Sequence, residues 1–144
     1  MVREHHSYAI GGVGNAEMFR NADRIGSELS EKNAESCCSY NMLKLTKKIF
    51  EYDPSPVYAD YYERVLLNHI LANSNKQYGG ATTYFMGMQP GAQKNYRAME
   101  NTCCHGTGLE SKFRYGEGRK PNMNPIIFFP SIIDLDITVS HLYF

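Results

Sequence analysis

Two stretches with helical periodicity, joined by the break Tyr-Asp-Pro-Ser-Pro at residues 52–56, constrain the fold of this chain more than any other feature. In residues 35–51 apolar side chains recur at i, i+4, i+7 and i+11, which predicts an amphipathic helix. This predicted stripe consists of Cys38, Met42, Leu45 and Ile49. Because Ser55 is a good N-cap residue and Pro56 a good first helical residue, a second helix is predicted to begin at the end of the break.

The second helix is predicted to extend to about Asn73 and to be apolar over a broad arc. One stripe, flanked by further apolar residues, is formed by Tyr58, Tyr62, Val65 and His69. A helix that is apolar over so wide an arc packs on more than one side. We interpret His69 as a core histidine with satisfied hydrogen bonds rather than as a ligand.

The remaining segments are shorter. Glycines at 11, 12 and 14 predict a tight loop, although their spacing does not satisfy the GxGxxG pattern of nucleotide-binding loops. Residues 81–88, which follow a double glycine, predict a strand or extended segment, and residues 89–96 a loop. Residues 108–116 predict a short helix closed by Gly116, and the tail is strand-like. The fold class is therefore mainly α, built from helical hairpins with short extended segments.

Composition excludes several classes of function. A chain of 144 residues predicts one domain, and its 15 basic and 15 acidic residues give a formal net charge of zero. Since the sequence has no basic patch, no nucleic-acid partner is expected. No apolar run approaches the roughly 20 residues of a membrane span, and the N-terminus lacks the apolar region of a signal peptide. As written, the chain is expected to be cytoplasmic, with reduced cysteines and no membrane partner.

All four cysteines occur in two adjacent pairs. Thiolates and carboxylates are good zinc ligands, but the sequence lacks the CxxC knuckle of a zinc finger. Glu35 and Cys37, at i and i+2, do not share a helix face, so they could converge only on the first turn of the helix. Cys38 lies on the apolar stripe and is expected in the core. Cys103 and Cys104 could reach one ion only in a turn.

Gly106 and Gly108 are expected to supply that turn, and the neighbouring His105 is interpreted as a supporting or exposed residue. The cysteine pattern alone leaves three interpretations open. The thiols could be inert and buried, since free cysteine is among the most buried residue types. They could hold a metal ion, or they could form a redox disulfide.

Four stretches of the chain resemble successive blocks of the glycoside hydrolase family 127 catalytic domain, the β-L-arabinofuranosidase-like proteins. The resemblance covers roughly residues 3–118. Its most specific parts are Glu-x-Cys before the YNMLKLT helix, the YADYYERVLLNHILA helix and the double cysteine at 103 and 104. The four stretches are HSYAIGGVGNAEMF, ESCCSYNMLKLTKKIFEYDPSPVYADYYERVLLNHILA, TTYFMGMQPGAQKNY and CCHGTGLESKFRYGEG.

The resemblance implies an (α/α)6 barrel of helix pairs, followed in the family by β-sandwich material. Residues 1–118 would form the C-terminal part of that barrel, which is then incomplete in this chain, and residues 119–144 a divergent, strand-like tail. The implied activity is a retaining hydrolase that removes terminal β-L-arabinofuranose or a related sugar from plant glycans. The expected partner is therefore a carbohydrate substrate.

The resemblance also implies the site residues. Cys103 falls on the nucleophile, Glu17 on the general acid/base, and Tyr84 near a sugar-contacting tyrosine. The residues that fall on the ligands of a Zn²⁺ ion are Glu35, Cys37, Cys103 and Cys104. Metal coordination favours the thiolate, which would attack the anomeric carbon and form a thioether, while a carboxylic acid protonates the leaving oxygen.

The family's catalytic domain is several times longer than this chain, and both ends of the chain look cut. A partial barrel would expose helix faces that the rest of the domain covers. We therefore expect a fragment with its metal ligands present and with weak or absent activity on its own. The alternative is a catalytically inactive, zinc-stabilised helical remnant or interaction module.

Overall fold

The computed structural model describes residues 2–75, 81–97 and 100–115, and this part of the chain is mainly helical. Gly116 and the predicted strand-like tail lie outside the described residues. Within those residues, no helix combines the length and the apolar character needed to cross a membrane. In chain order the elements are α1 (Val2–His5), a 3₁₀ turn (Ile25–Glu28), α2 (Ser36–Tyr52), α3 (Pro56–Val65), a π turn (Leu66–Ile70), a 3₁₀ turn (Leu71–Asn73), β1 (Thr82–Thr83), β2 (Tyr96–Arg97) and α4 (Cys103–Tyr115).

The predicted helical hairpin is confirmed. The last turn of α2 closes with a 2.8 Å hydrogen bond from the Asp53 N–H to the Ile49 carbonyl oxygen. Ser55 has the extended backbone of an N-cap residue, and Pro56 is the first residue of α3. The helical path then continues through the π turn and the following 3₁₀ turn to Asn73, where the sequence pattern predicted its end.

The predicted apolar stripe of α2 is wrong, because the helix buries a neighbouring face. Leu45 is 53% exposed, whereas Leu43 is fully buried. The buried face consists of Ser36, Ser39, Tyr40, Leu43, Thr46 and Phe50. Half of these side chains carry an aliphatic hydroxyl, so apolar periodicity could not reveal the face. Each of these hydroxyls is hydrogen-bonded; the Ser36 Oγ, for example, donates to the Thr83 carbonyl oxygen at 2.9 Å.

The main core lies where α2, α3 with its π turn, and α4 pack together. Tyr40 of α2 and Tyr115 of α4 meet edge to face, with ring centroids 6.4 Å apart. The Tyr62 and Tyr115 hydroxyls are 3.5 Å apart at the same contact. The buried core residues are Tyr40, Leu43, Phe50, Tyr61, Tyr62, Val65, Leu66, Ile70 and Tyr115. The second helix, predicted to pack on more than one side, contacts both α2 and Tyr115 of α4, which confirms that prediction.

His69 is a core residue, as expected, but only half of its hydrogen-bonding capacity is used. Its Nδ1 lies 2.8 Å from the Ser39 Oγ. Its Nε2 is buried and has no hydrogen-bond partner within the described part of the chain. Burial lowers the pKa of His69 to about 4, because a charged imidazolium would lose its hydration. The ring is therefore neutral at physiological pH, and the expectation of full satisfaction is wrong.

The extended segment predicted at 81–88 is only partly a strand. β1 pairs antiparallel with β2 in the register Thr82↔Arg97 and Thr83↔Tyr96. The predicted loop at 89–96 is therefore wrong at its last residue. Beyond β1 the chain follows residues 30–36 through isolated backbone bonds, including one of 3.0 Å from the Ser36 N–H to the Tyr84 carbonyl oxygen. These bonds place Tyr84 beside the start of α2.

α4 begins at Cys103, five residues earlier than predicted. The Thr102 Oγ accepts the backbone N–H of His105 at 3.3 Å, as an N-cap residue does. The prediction that Gly106 and Gly108 form a turn here is wrong. Both lie inside α4, and a Cβ added to Gly108 would stand 2.7 Å from the Thr82 Cγ2. Gly108 is therefore needed for the close crossing of α4 over β1.

Candidate metal and catalytic site

The candidate site lies where the first turns of two helices meet. Glu35 is the N-cap residue of α2, and Cys37 is the second residue of that helix. Cys103 and Cys104 are the first two residues of α4. The N-terminus of a helix carries unpaired N–H groups and the positive end of the helix dipole, which stabilise thiolates and carboxylates. The fold thus gathers these ligand atoms at a place that favours negative charge.

The structure brings together the four residues expected to ligate a metal. The Cys37 and Cys103 sulfurs are 3.5 Å apart, although the residues are 66 positions apart in sequence. The Cys37 thiol donates to the Glu35 Oε1 at 2.9 Å, and the Cys104 thiol lies 3.8 Å from the same oxygen. One ligand atom from each of the four residues lies within 4.8 Å of every other. Cys38 does not belong to this group.

The chemistry of these donors suits a metal ion. In a tetrahedral zinc site with Zn–S bonds of about 2.3 Å, two sulfurs stand about 3.8 Å apart. The Cys37–Cys103 separation of 3.5 Å is close to that value. Three thiols with one carboxylate form the soft, closely spaced donor set that zinc takes. These four residues could therefore hold a metal ion.

The thiol pKa values show what a cation would change. Burial, with the hydrogen bond to Glu35 as a second cause, raises the pKa of Cys37 far above its ordinary range. Burial also raises the pKa of Cys104 to about 12. These two sulfurs therefore keep their protons at neutral pH when no cation is present. A divalent cation reverses that balance, because a thiol that coordinates a metal is deprotonated.

A tyrosine connects the metal-binding group to the predicted acid/base. The Tyr84 hydroxyl donates to the Glu17 Oε1 at 2.5 Å and lies 4.0 Å from the Cys103 sulfur. The hydrogen bond to Glu17 is the main cause that raises the pKa of Tyr84 well above its usual value. Tyr84 therefore stays a neutral donor. The carboxylate of Glu17 and the thiol of Cys103 flank one hydroxyl group.

Glu17 occupies an unusual backbone position. It follows Ala16 in a two-residue turn between Asn15 and Met18, and both central residues have positive φ, 50° and 66°. Turns of this kind normally carry Asn or Gly at those positions, because other side chains clash with the backbone there. Strained non-glycine residues cluster at functional sites. The turn projects Glu17 towards Tyr84, which sequence reasoning did not foresee.

His105 is buried at this site, so of the two expected positions, supporting or exposed, the structure favours the supporting one. Its side chain is 3% exposed and its Nδ1 lies 2.5 Å from the Thr102 Oγ. Its ring also packs edge to face against Tyr84, with centroids 6.4 Å apart. Its position directly after the cysteine pair was the only sequence signal. His105 is thus a support for the tyrosine that links the two catalytic candidates.

Comparison with known proteins gives one match over most of the chain. The family model described as β-L-arabinofuranosidase, GH127 catalytic domain, matches residues 1–117. A comparison with curated proteins returns no match. The matched span contains Glu17, Tyr84 and the four candidate ligands, so the resemblance seen in the sequence is confirmed.

Proposed function

Because this chain belongs to the GH127 β-L-arabinofuranosidase catalytic-domain family, we propose that it carries the reactive centre of a retaining glycoside hydrolase. Membership of the family supports glycosidase activity and a carbohydrate substrate in general. The proposed substrate is a plant glycan that ends in β-L-arabinofuranose or a related sugar. One observation carries the proposal: the Tyr84 hydroxyl touches both Glu17 and Cys103, and Cys103 belongs to a metal-competent group.

We propose zinc as the metal. The ligands would be Glu35, Cys37, Cys103 and Cys104. The bound ion would supply the positive charge that keeps these thiols deprotonated at neutral pH.

Cys103 is the best candidate for the nucleophile because it is the most exposed of the three cysteines in the group. It is exposed, whereas the adjacent Cys104 is 0% exposed. Its sulfur would attack the anomeric carbon of the terminal sugar and form a C–S bond. The bond to the leaving oxygen breaks, its electron pair stays with that oxygen, and Glu17 donates a proton to it.

In the second step the roles reverse. Glu17 takes a proton from water, the water oxygen attacks the anomeric carbon, and the C–S pair returns to the Cys103 sulfur. Two displacements at one carbon retain its configuration. Tyr84 lies between the two groups, so its hydroxyl is placed to hold the sugar while both steps proceed.

We also propose that residues 1–118 are the C-terminal part of an (α/α)6 barrel. The hairpin of α2 and α3 and its packing against α4 support this proposal, as does the family match over almost the same span. Residues 119–144 remain a proposed divergent tail.

The proposal is tested by measuring metal content and hydrolysis of an aryl β-L-arabinofuranoside on purified protein. We expect one zinc per chain, lost in Cys37→Ser. Cys103→Ser should abolish the hydrolysis that the wild-type chain shows, as loss of a nucleophile does. Cys38→Ser is the matched control and should keep both properties. Full activity in Cys103→Ser would contradict the mechanism, and bound zinc without hydrolysis would favour the inactive helical module.

A further inference from the structure

We propose that Asn15 is a positioning residue for the reaction, because its side chain fixes the strained turn that carries Glu17. This inference rests on the proposed function and specifies how the acid/base is held. Glu17 is exposed, and both central residues of its turn, Ala16 and Glu17 itself, have positive φ. A non-glycine residue keeps such a backbone only where the surrounding structure holds it there. The turn therefore needs an anchor, and the side chain of Asn15 is placed to supply it.

The side chain of Asn15 uses both of its polar atoms on one neighbouring segment, residues 28–30. Its Nδ2 donates to the Glu28 carbonyl oxygen at 3.1 Å and to the Glu28 Oε2 at 3.0 Å. Its Oδ1 accepts the Ser30 hydroxyl at 2.8 Å. A primary amide supplies two N–H donors and an acceptor from one short side chain. An apolar residue at this position could make none of these bonds.

The backbone of the turn is tied to the same part of the chain. The Ala16 N–H donates to the Lys32 carbonyl oxygen at 2.9 Å, and the Asn15 N–H closes the turn on the Met18 carbonyl oxygen at 2.9 Å. Neither Ala16 nor Met18 has a side chain that donates a hydrogen bond, and the carboxylate of Glu17 is engaged elsewhere. Asn15 is therefore the side-chain anchor of the turn.

Residues 28–36 also place the tyrosine that Glu17 meets. At the far end of this segment, the Ser36 N–H donates to the Tyr84 carbonyl oxygen at 3.0 Å. The Tyr84 hydroxyl in turn donates to the Glu17 Oε1 at 2.5 Å. One stretch of backbone thus sets the acid/base and the tyrosine against each other, and Asn15 ties the acid/base to it. Loss of that tie should leave Tyr84 in place and release Glu17.

The test compares two substrates that share the sugar to be cleaved but differ in the leaving group. Dinitrophenolate departs as a stable anion, whereas phenolate needs a proton from the acid/base. In Asn15→Ala, kcat/KM for phenyl β-L-arabinofuranoside should fall by about tenfold or more, because several hydrogen bonds that hold the acid are lost. For dinitrophenyl β-L-arabinofuranoside, kcat/KM should change by less than about twofold.

Asn68→Ala is the matched control, because the Asn68 amide also donates to a backbone oxygen, that of Arg64 at 3.0 Å. It should leave kcat/KM for both substrates unaffected. An equal loss on both substrates in Asn15→Ala would show that the residue merely supports the fold, and it would overturn the proposal. So would an unchanged kcat/KM for the phenyl glycoside.

A pair of further variants covers the case in which Asn15→Ala does not fold. Asn15→Asp places a second carboxylate against that of Glu28 and should show the same difference between the two substrates. Adding Glu28→Gln exchanges donor and acceptor between the two positions. The double variant should raise kcat/KM for the phenyl glycoside by about threefold or more over Asn15→Asp alone. No recovery in the double variant would contradict the proposed contact.

Hydrogen exchange followed by mass spectrometry separates this proposal from the proposed function. In Asn15→Ala, the amides of residues 15–19 should exchange about tenfold faster, whereas those of α2 and α4 should not change. If the wild type hydrolyses neither glycoside but this pattern holds, the anchoring of Glu17 by Asn15 stands and the proposed function fails. If the exchange of residues 15–19 does not change, the positioning proposal fails whatever the activity.

Discussion

α2 and α4 meet in two regions that differ in what completes them. Further along, at the fifth residue of α2 and the C-terminal end of α4, Tyr40 and Tyr115 pack edge to face, and the Tyr40 hydroxyl donates to Glu110. At the N-termini, Cys37 and Cys103 meet beside a carboxylate, and burial leaves Cys37 with a strongly raised pKa. The first region satisfies its own polar groups. The second could hold a cation, so the same pair of helices carries a packed core at one place and a candidate metal site at another.

The largest expected effect is a loss of folding stability from a substitution in the core region alone. Leu43→Ala should lower the free energy of unfolding by about 2–5 kcal/mol, because Leu43 is fully buried and truncation leaves a cavity. Leu45→Ala, on the exposed face of the same helix, should change it by less than about 0.5 kcal/mol. Denaturant unfolding followed by circular dichroism measures both. Equal effects would mean that α2 packs on the face predicted from sequence.

The second prediction concerns His69, the buried histidine of the π turn, whose ring contacts Ser39 of α2. The unfolded chain protonates His69 below its ordinary pKa near 6.5, whereas the folded chain resists protonation until about pH 4. Stability should therefore be fully present above pH 6.5 and should fall by on the order of 3 kcal/mol as the pH drops to 4.

Unfolding experiments at several pH values test this dependence. His69→Asn should flatten the slope between pH 6.5 and 4, because that side chain does not titrate. His5→Asn, at an exposed histidine paired with Asp23, is the control and should keep the slope. An unchanged slope in His69→Asn would show that other groups cause the acid sensitivity.

The third prediction concerns the cation that the thiol group could hold. If the thiol group binds zinc, free metal at about 100 times its Kd should stabilise the fold by about 2.7 kcal/mol. A chelator should lower Tm accordingly, and Cys37→Ser should abolish the difference between metal-loaded and chelated protein. Cys38→Ser should retain it. A Tm that is insensitive to chelation in the wild type would contradict a metal role in stability.

The smallest expected effect concerns Tyr84, which lies between the candidate acid/base and the candidate nucleophile. Tyr84→Phe removes the donor to Glu17, and kcat/KM for an aryl β-L-arabinofuranoside should fall by about tenfold, the cost of one hydrogen bond to a charged group. Zinc content should not change, since Tyr84 is no ligand. Tyr52→Phe, at a tyrosine that is 89% exposed, should change neither kcat/KM nor the zinc content.

Local sequence signals predicted the fold well where backbone chemistry is decisive. Pro56 and Ser55 placed the boundary between α2 and α3 because one fixes φ and the other suits an N-cap. The buried face of α2 was missed because it includes the polar residues Ser39 and Thr46, and apolar periodicity detects only apolar residues. The start of α4 was missed because Gly106 and Gly108 indicate a turn, and only the packing of β1 explains a helical glycine there.

The site was predictable only in part. Spacing restricted Glu35 and Cys37 to a helix start, and the structure places them there. Their convergence with Cys103 depends on packing between distant segments, which spacing alone cannot give; the family resemblance supplied it. The positive φ of Glu17 occurs in a turn that is held by long-range contacts, so no local pattern could reveal it.

The N-cap residue Thr102 determines where α4 begins, and thereby which cysteine of the adjacent pair is buried. Successive residues of an α-helix point about 100° apart, since each turn holds 3.6 residues. With the helix starting at Cys103, one sulfur of the pair faces outwards and its neighbour is sealed inside. If the helix began one residue earlier, Cys103 would take the buried second position that Cys104 now occupies. Two identical neighbours thus differ in exposure because of the phase of a helix, which the Thr102 hydroxyl group helps to set.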